Sequence, residues 1–333
     1  MTASAIRYDV LAIGNAIVDV IARAEDELLE EEQLVKGSMT LIDAARADQL
    51  YDDMGPAREI SGGSAANTLA GLSMLGRQCA FIGQVADDQL GSVFAHDIRA
   101  TGIDFDVPAR AGDPSTARCL ILVTPDGQRT MNTFLGASQY LAAELIDAEL
   151  IASAAVLYLE GYLWDPEEPR AAMRAAIAHA RAAGRKVAFT LSDAFVIDRH
   201  RADFRAMIDN GEIDILFANE VEIKSLSETD DFESAVAMTA ANVPILVVTR
   251  SEKGAIAMTD GERFEIPAEP VPEVVDTTGA GDLFAAGFLA GLGEGRAIDQ
   301  CLKMGAVAAA EVISHYGARP ETDLRALIDG VLA

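Results

Sequence analysis

The chain has 333 residues, half of them hydrophobic, and a formal net charge of −27. That length and apolar content exclude a disordered protein and allow either one large α/β domain or two smaller domains. The negative charge argues against DNA, RNA or anionic membranes as partners, because no basic patch could dominate that field.

The cysteines and the N-terminus indicate a reducing compartment. Cys79, Cys119 and Cys301 are far apart and lack CxxC spacing, so we expect free thiols rather than a disulfide framework or a zinc site. The N-terminus lacks the apolar core of a signal peptide, and no run of about 18 uninterrupted apolar residues occurs. We therefore expect a cytoplasmic protein, and the sequence leaves a monomer and a homodimer open.

The first predicted strand ends in a polar turn. The stretch from Tyr8 to Ile13, apolar from Val10 onward, reads as a buried strand, and Gly14, Asn15 and Asp19 follow it. Because ligands in parallel sheets bind beyond the carboxyl ends of strands, Asn15 and Asp19 are candidate ligand contacts. Between residues 16 and 62, short strands alternate with acidic helical segments, which we interpret as an inserted lid.

A glycine pair precedes the next helix. Gly62 and Gly63 allow close approach of a small polar ligand to the backbone, Ser64 is the predicted N-cap, and Asn67 offers both a donor and an acceptor. Further along, a β-hairpin with a Pro-Asp-Gly turn is predicted over residues 117–135, which gives the lid a second part at residues 115–136. Arg129 lies on this hairpin.

From residue 154 onward, strands and helices alternate regularly, which predicts a parallel sheet with helices on both faces. A late antiparallel pair is expected at residues 254–258 and 263–266. Two strand ends carry polar groups: Asn219 and Glu222 follow one strand, and Thr249 and Gly254 follow the next. A carboxylate and an amide in this position suit a hydrated Mg²⁺.

The most informative stretch is Asp276-Thr277-Thr278-Gly279-Ala280-Gly281-Asp282, which precedes a helix rich in Ala, Leu and Phe. Free N–H groups of Gly279, Ala280 and Gly281 at a helix N-terminus form an anion site. Asp282 beside such a site suits a general base that takes a proton from a hydroxyl during phosphoryl transfer. The chain has no GxxxxGK[ST] motif and no GxGxxG after its first strand, which excludes a P-loop kinase and disfavours a nicotinamide dehydrogenase.

Taken together and in this order, the motifs resemble those of the ribokinase (PfkB) family of carbohydrate and nucleoside kinases. The resemblance implies a ribokinase-like three-layer α/β/α fold with a mainly parallel central sheet and a small β-containing lid. Residues 1–333 would form a single kinase chain, with the lid at residues 16–62 and 115–136 and the large α/β domain built from the remainder.

The resemblance also implies roles for the candidate residues. Asp282 would be the base, and Asp276 with the Thr278 carbonyl would bind a monovalent cation such as K⁺. ATP with Mg²⁺ would bind along the loops after two strands and at the anion site, and Glu222 would hold Mg²⁺ through water. The implied substrate contacts are Asn15, Asp19, Gly62, Gly63, Asn67, Arg129 and Tyr162, and the implied ATP contacts are Asn219, Glu222, Thr249, Gly254, Gly279 and Gly281.

The substrate is less constrained. The helical lid insertion, Ser64 after the glycine pair and the apolar segment 159–163 resemble adenosine kinases, with Tyr162 or Trp164 as candidates for stacking on a purine. The favoured activity is phosphorylation of adenosine to AMP. The alternatives are a sugar kinase of the ribose, fructose or 2-keto-3-deoxygluconate type, and a non-catalytic small-molecule sensor.

Overall fold

The computed structural model describes residues 5–332. Within this range the strands are β1 (Tyr8–Ile13), β2 (Ile17–Arg23), β3 (Met39–Leu41), β4 (Ala57–Gly62), β5 (Cys79–Ile82), β6 (Ile103–Asp104), β7 (Ala117–Val123), β8 (Arg129–Phe134), β9 (Ala154–Glu160), β10 (Lys186–Thr190), β11 (Ile215–Asn219), β12 (Ile245–Thr249), β13 (Ala255–Thr259) and β14 (Glu262–Ile266). The α-helices are α1 (Asp26–Glu31), α2 (Ala44–Asp53), α3 (Ser64–Met74), α4 (Gln89–Ala100), α5 (Ala148–Ala152), α6 (Glu167–Ala182), α7 (Ala194–Asp209), α8 (Glu220–Ser227), α9 (Phe232–Ala240), α10 (Ala280–Gly293), α11 (Ile298–Val312) and α12 (Leu324–Leu332).

Nine strands form the main sheet, in the order β14-β13-β12-β11-β10-β9-β1-β5-β6. Neighbouring strands from β12 to β6 are parallel, whereas β13 and β14 extend the sheet as an antiparallel pair. The predicted mainly parallel sheet and the late antiparallel pair are both confirmed. Since β1, β9, β11 and β12 are parallel, their carboxyl ends share one edge of the sheet, where the polar turns lie.

Helices cover both faces of this sheet, which confirms the three-layer α/β/α fold. Side chains alternate along each strand, so Leu157 and Leu159 of β9 pack into one core while Tyr158 packs into the other. The core containing Tyr158 also holds apolar residues of α3, α10 and α11, and the opposite core holds those of α6 and α7.

A second sheet of five strands has the order β3-β8-β7-β2-β4. All of its strands lie within residues 16–62 and 115–136, the ranges predicted for the lid. Along β2, Val18, Val20 and Ala22 are buried, whereas the intervening residues, Asp19 among them, are partly exposed on the other face. Asp19 is thus carried on the face of this sheet that is not packed into the apolar core.

The structure differs locally from the sequence interpretation. The strand β4 was not predicted, because its first residues, Ala57 to Glu59, are exposed and lack an apolar pattern. The prediction of Ser64 as an N-cap was wrong: helix α3 begins at Ser64, and its N-cap is Gly63, with a φ of +98°. Helix α7 begins at Ala194, where the side chain of its N-cap Asp193 accepts the N–H of Val196.

The cysteine prediction is confirmed: Cys79, Cys119 and Cys301 are free and buried. Among the helices of residues 5–332, none is long and apolar enough to cross a membrane.

Candidate active site

Asp282 lies in the first turn of α10 and contacts the first turn of α3. The Ser64 hydroxyl donates to Asp282 Oδ1 at 2.6 Å, and Asn67 Nδ2 donates to Oδ2 at 3.1 Å. Helices α3 and α10 pack side by side, and Gly71 of α3 lies so close to Leu283 and Ala286 that no larger residue would fit there. The glycine-pair motif and the C-terminal motif are therefore brought together, as the sequence predicted.

Asn67 is buried, and within residues 5–332 its Oδ1 atom has no hydrogen-bond partner. A buried amide oxygen without a donor is costly in a folded protein and calls for an explanation. Because the amide nitrogen of Asn67 already faces Asp282, the free oxygen suits a ligand hydroxyl that approaches the same carboxylate.

The surroundings of the Asp282 carboxyl group favour its protonated form. Burial raises the pKa of Asp282, while the hydrogen bonds from Ser64 and Asn67 and the charge of Arg319 act in the opposite direction. A carboxylate with a raised pKa is a better base near neutral pH than an ordinary surface aspartate.

Asp19 lies against the glycine pair. A Cβ atom at Gly62 would collide with the Asp19 carboxylate, and one at Gly63 would collide with the carbonyl oxygen of Asn15. Burial raises the pKa of Asp19 to about 6; Arg129 and Arg319 lower it, and Asp282 and Asp276 raise it. These effects place Asp19 in the same electrostatic neighbourhood as the predicted base.

The predicted anion site corresponds to the turn before α10. Gly279 has a φ of +79°, and a Cβ there would lie 2.7 Å from Ala318 Cβ, so only glycine fits. Gly281, in contrast, faces open space. The N–H of Ala280 donates to the Thr277 carbonyl at 3.2 Å, so the prediction that this N–H is free was wrong. The first-turn N–H groups of α10 have no intrahelical acceptor.

Arg129 and Asp276 form a buried ion pair in which the guanidinium donates to Asp276 Oδ2. The other contacts of this carboxylate are the Gly317 N–H on Oδ2 at 3.0 Å and the N–H and hydroxyl of Thr278 on Oδ1 at 3.0 and 2.7 Å. Both oxygens are thus occupied by donors, and the positive charge beside Asp276 is an arginine. This arrangement does not fit the predicted monovalent cation at Asp276 and Thr278.

The end of β11 lies beside the end of β12, where Asn219 and Thr249 are register partners. Asn219 and Glu222 form a reciprocal capping box, with each backbone N–H donating to the other side chain at 2.9 Å, so part of this motif serves the start of α8. Burial raises the pKa of Glu222 to about 7. Each carboxylate oxygen of Glu222 takes a single bond from Asn219 and retains a lone pair, which fits contact with a hydrated Mg²⁺ through its waters.

Gly254 ends the loop after β12. Its φ is +86°, and a Cβ there would collide with the Ile266 carbonyl, so glycine is required by the close approach of the segment after β14. Its presence therefore has a packing reason independent of any ligand.

Of the two aromatic candidates, only Tyr162 is accessible. Its side chain is 38% exposed, and its hydroxyl donates to the Ser192 carbonyl at 3.2 Å. Trp164 is fully buried against Phe189 and Phe204, with its N–H donating to Asp203 at 2.9 Å. The prediction that Trp164 could stack on a base is wrong, because this side chain belongs to the core.

The sequence interpretation missed two residues that support the site. Glu160 ends β9 and accepts hydrogen bonds from Asn15 and Ala65. Arg319 donates to the carbonyl oxygens of Ser61 and Ala66. The position of Glu160 at a strand end was a usable signal, the same one that singled out Asn219, whereas nothing in the local sequence of Arg319 marks it.

The comparison with known families decides the identity. The profile described as pfkB family carbohydrate kinase matches residues 8–324. The chain belongs to the pfkB family. The resemblance predicted from the motifs is therefore confirmed, and the match extends over almost the whole of this pfkB chain.

Solved structures share the fold of this pfkB chain over nearly its full length. Adenosine kinase from Sinorhizobium meliloti is 48% identical with a TM-score of 0.89, covering 98% of this chain and 99% of that one. A probable sugar kinase protein from Rhizobium etli CFN 42 is also 48% identical, with a TM-score of 0.90 and the same coverage. Among curated proteins, 5-dehydro-2-deoxygluconokinase from Shouchella clausii is 29% identical over 336 residues, covering 97% of this chain and 96% of that one.

These relatives are kinases of nucleosides or sugars. This pfkB chain is therefore a phosphotransferase acting on a substrate of that kind, and its family membership implies ATP as the phosphoryl donor.

Proposed function

We propose that this pfkB kinase transfers the γ-phosphoryl group of ATP to the primary hydroxyl of adenosine, giving AMP and ADP. Asp282 takes the hydroxyl proton, the hydroxyl oxygen attacks the γ-phosphorus, and the bond to the β-phosphate oxygen breaks. The N–H groups of Gly279 and Gly281 stabilise the charge on the phosphoryl group in transfer, and the N–H of Ala280 joins them if it leaves the Thr277 carbonyl.

The observation that carries this proposal is the junction of α3 and α10. The Asp282 carboxylate is held by Ser64 and Asn67, and the buried Asn67 oxygen beside it has no donor among the described residues. A substrate hydroxyl would donate to this oxygen and lie next to the Asp282 carboxylate. Asp19 and the backbone of Gly62 and Gly63 would hold further hydroxyls of the ribose.

The nucleotide would lie along the ends of β11 and β12, with Asn219, Glu222, Thr249 and Gly254 near its phosphates and base. Mg²⁺, held through water by Glu222, supplies positive charge to the phosphates when it is bound. Closure of the second sheet over the substrate would exclude water and limit hydrolysis of ATP.

Arg129 supplies the cation next to the anion site. Its guanidinium pairs with Asp276, and its Nε has no partner among the described residues, which leaves a donor for a phosphate oxygen. Turnover is accordingly expected to be similar in potassium, sodium and choline buffers. A strict requirement for K⁺ in steady-state assays would contradict this role and return the cation to Asp276 and Thr278.

Adenosine is favoured over a sugar for two reasons. The second sheet carries α1 and α2 between β2 and β4, and the accessible ring of Tyr162, beyond the end of β9, could contact a purine. The relatives leave the sugar alternative open, because an adenosine kinase and a probable sugar kinase are each 48% identical to this chain over nearly its full length.

The cell compartment and the assembly are part of the same proposal. Three free buried thiols suit the cytoplasm, and the acidic surface suits a monomer or homodimer that binds neither nucleic acid nor membrane.

One screen separates the candidate functions. ADP release would be measured with adenosine, inosine, ribose, fructose, 2-keto-3-deoxygluconate and 5-dehydro-2-deoxygluconate, each with and without Mg²⁺. We expect turnover with adenosine at micromolar concentration. Turnover with a sugar or keto-sugar acid alone would establish the sugar kinase, and ligand binding without ADP release would indicate the sensor.

A further inference from the structure

Glu160 is a carboxylate with no contact to solvent, placed at the end of β9 between two substrate-side turns. Its Oε1 atom accepts the backbone N–H and the side-chain amide of Asn15, both at 2.7 Å. Its Oε2 atom accepts the backbone N–H of Ala65, in the first turn of α3, at 2.8 Å. One buried side chain therefore joins the turn after β1 to the start of α3.

Both side-chain oxygens of Glu160 must act as hydrogen-bond acceptors. Three N–H groups point at Glu160, so a glutamine would turn its own NH₂ group toward a donor on one side. The surrounding packing is equally restrictive, because a Cβ at Gly14 would lie 2.6 Å from Glu160 Oε2 and 2.5 Å from Ala65 Cβ. Gly14, Glu160 and Ala65 form a tight joint whose geometry depends on the carboxylate.

The joint is connected to the predicted base, Asp282, through the first turn of α3. Ala65 follows Ser64, whose hydroxyl donates to Asp282 Oδ1, and Asn67, two residues after Ala65, donates to Oδ2. A shift in the first turn of α3 would therefore change both contacts of Asp282. The side-chain amide of Asn15 donates to Glu160 and its Oδ1 accepts the Ser138 hydroxyl, which makes Asn15 part of the joint.

We propose that Glu160 is a positioning residue for phosphoryl transfer, which fixes the start of α3 so that Ser64 and Asn67 hold Asp282 in register with the substrate hydroxyl. This inference rests on the proposed role of Asp282 as the base. It adds a residue that contacts neither substrate nor ATP and acts through α3.

The test compares Glu160→Gln, Ser64→Ala and the double variant in the ADP-release assay, with folding checked by thermal melting. We expect kcat to fall roughly 10- to 100-fold in each single variant, because small displacements of catalytic groups have effects of that size, while the KM for ATP is unchanged. Since both changes break the same link, the double variant should lose little more than one single variant.

Glu311→Gln is the control for loss of a buried carboxylate. Glu311 is also buried, and its Oε1 accepts the Glu321 and Thr322 N–H groups and the Thr322 hydroxyl at 2.8 to 2.9 Å, but none of these donors is a site residue. Its Oε2 has no partner among the described residues and can take the glutamine NH₂ group, so this variant should leave kcat unchanged. If Glu160→Gln behaves like this control, or if its effect multiplies with that of Ser64→Ala, the positioning role is wrong.

If Glu160→Gln does not fold, Ser64→Ala still tests the link from α3 to Asp282. This variant is expected to fold, because it removes only one partly exposed oxygen. Unchanged kcat in that variant would contradict the link from α3 to Asp282. The wild-type enzyme in the same assay tests the proposed function separately, so failure of one is not failure of the other.

Discussion

At the scale of one side chain, Asn67 contacts the proposed base and offers an acceptor to the proposed substrate. Its nitrogen orients the Asp282 carboxylate at 3.1 Å, and its buried oxygen lacks a donor among the described residues. A purely structural asparagine in the core would satisfy both ends. The unsatisfied end is therefore best explained by a ligand.

Asn67→Ala should accordingly affect the acceptor substrate and the chemical step together. We expect a KM for the acceptor that rises and a kcat that falls about 10- to 100-fold, because both a substrate contact and a contact to the base are lost. Asn219→Ala is the control on the nucleotide side and should raise the KM for ATP instead. Equal effects of the two variants on both KM values would contradict the assignment of sides.

At the scale of elements, the start of α10 has two glycines, and different physical reasons explain why each position is glycine. Gly279 is fixed by its left-handed backbone and by contact with Ala318, whereas Gly281 is helical, exposed and faces open space. Packing requires the first glycine. The second has no packing reason, which leaves close approach of a phosphate as its explanation.

Replacing these glycines should separate folding from function. Gly281→Ala is expected to keep or raise the melting temperature, since alanine in a helix is favoured by about 0.5–1 kcal/mol, and yet to lose turnover. Gly279→Ala should lower the melting temperature as well as turnover, because its backbone and the Ala318 contact both resist a side chain. Full turnover in Gly281→Ala would argue against phosphate binding at this turn.

At the scale of the whole molecule, acidic groups dominate. Burial raises the pKa of Asp19 to about 6 and those of Glu160 and Glu222 to about 7, above the value of about 4 expected in the unfolded chain. The folded protein therefore binds more protons than the unfolded chain across this window, so its stability decreases as pH rises through it. Repulsion within a chain of net charge −27 acts in the same direction.

The melting temperature should thus fall between about pH 5 and about pH 7.5, with a shallower slope at high salt. In Glu222→Gln one of the shifted groups is removed, so its melting temperature should depend less steeply on pH than that of the wild type. A melting temperature that rises across this range would contradict the shifted pKa values.

The main sheet and the meeting of the motif residues could be predicted from the sequence. Regular alternation predicted the main sheet, since its strands are buried on both faces and read as apolar runs. It missed β4, whose exposed edge has no such pattern. Motif residues such as Asp282, Asn67 and Asp19 could be predicted to meet because parallel strands and helix starts converge on one sheet edge.

Partnerships across the fold could not be predicted. Arg129 and Asp276 are 147 positions apart in sequence and pair only because the second sheet lies next to the turn before α10. Likewise, Trp164 reads as an accessible aromatic at a strand end, yet its ring turns into the core behind α6 and α7. The local sequence pattern indicates where a residue lies along a helix or strand, but it does not indicate which distant residue it contacts in the folded protein.

The most direct test of the account is the turnover of Asp282→Asn with adenosine and MgATP. Asparagine keeps the shape and can still accept from Ser64, but it cannot take the hydroxyl proton. We predict a folded variant that still binds adenosine, with kcat reduced on the order of 10²–10⁴-fold. A folded Asp282→Asn enzyme with near-wild-type kcat would contradict the central claim that this carboxylate is the base.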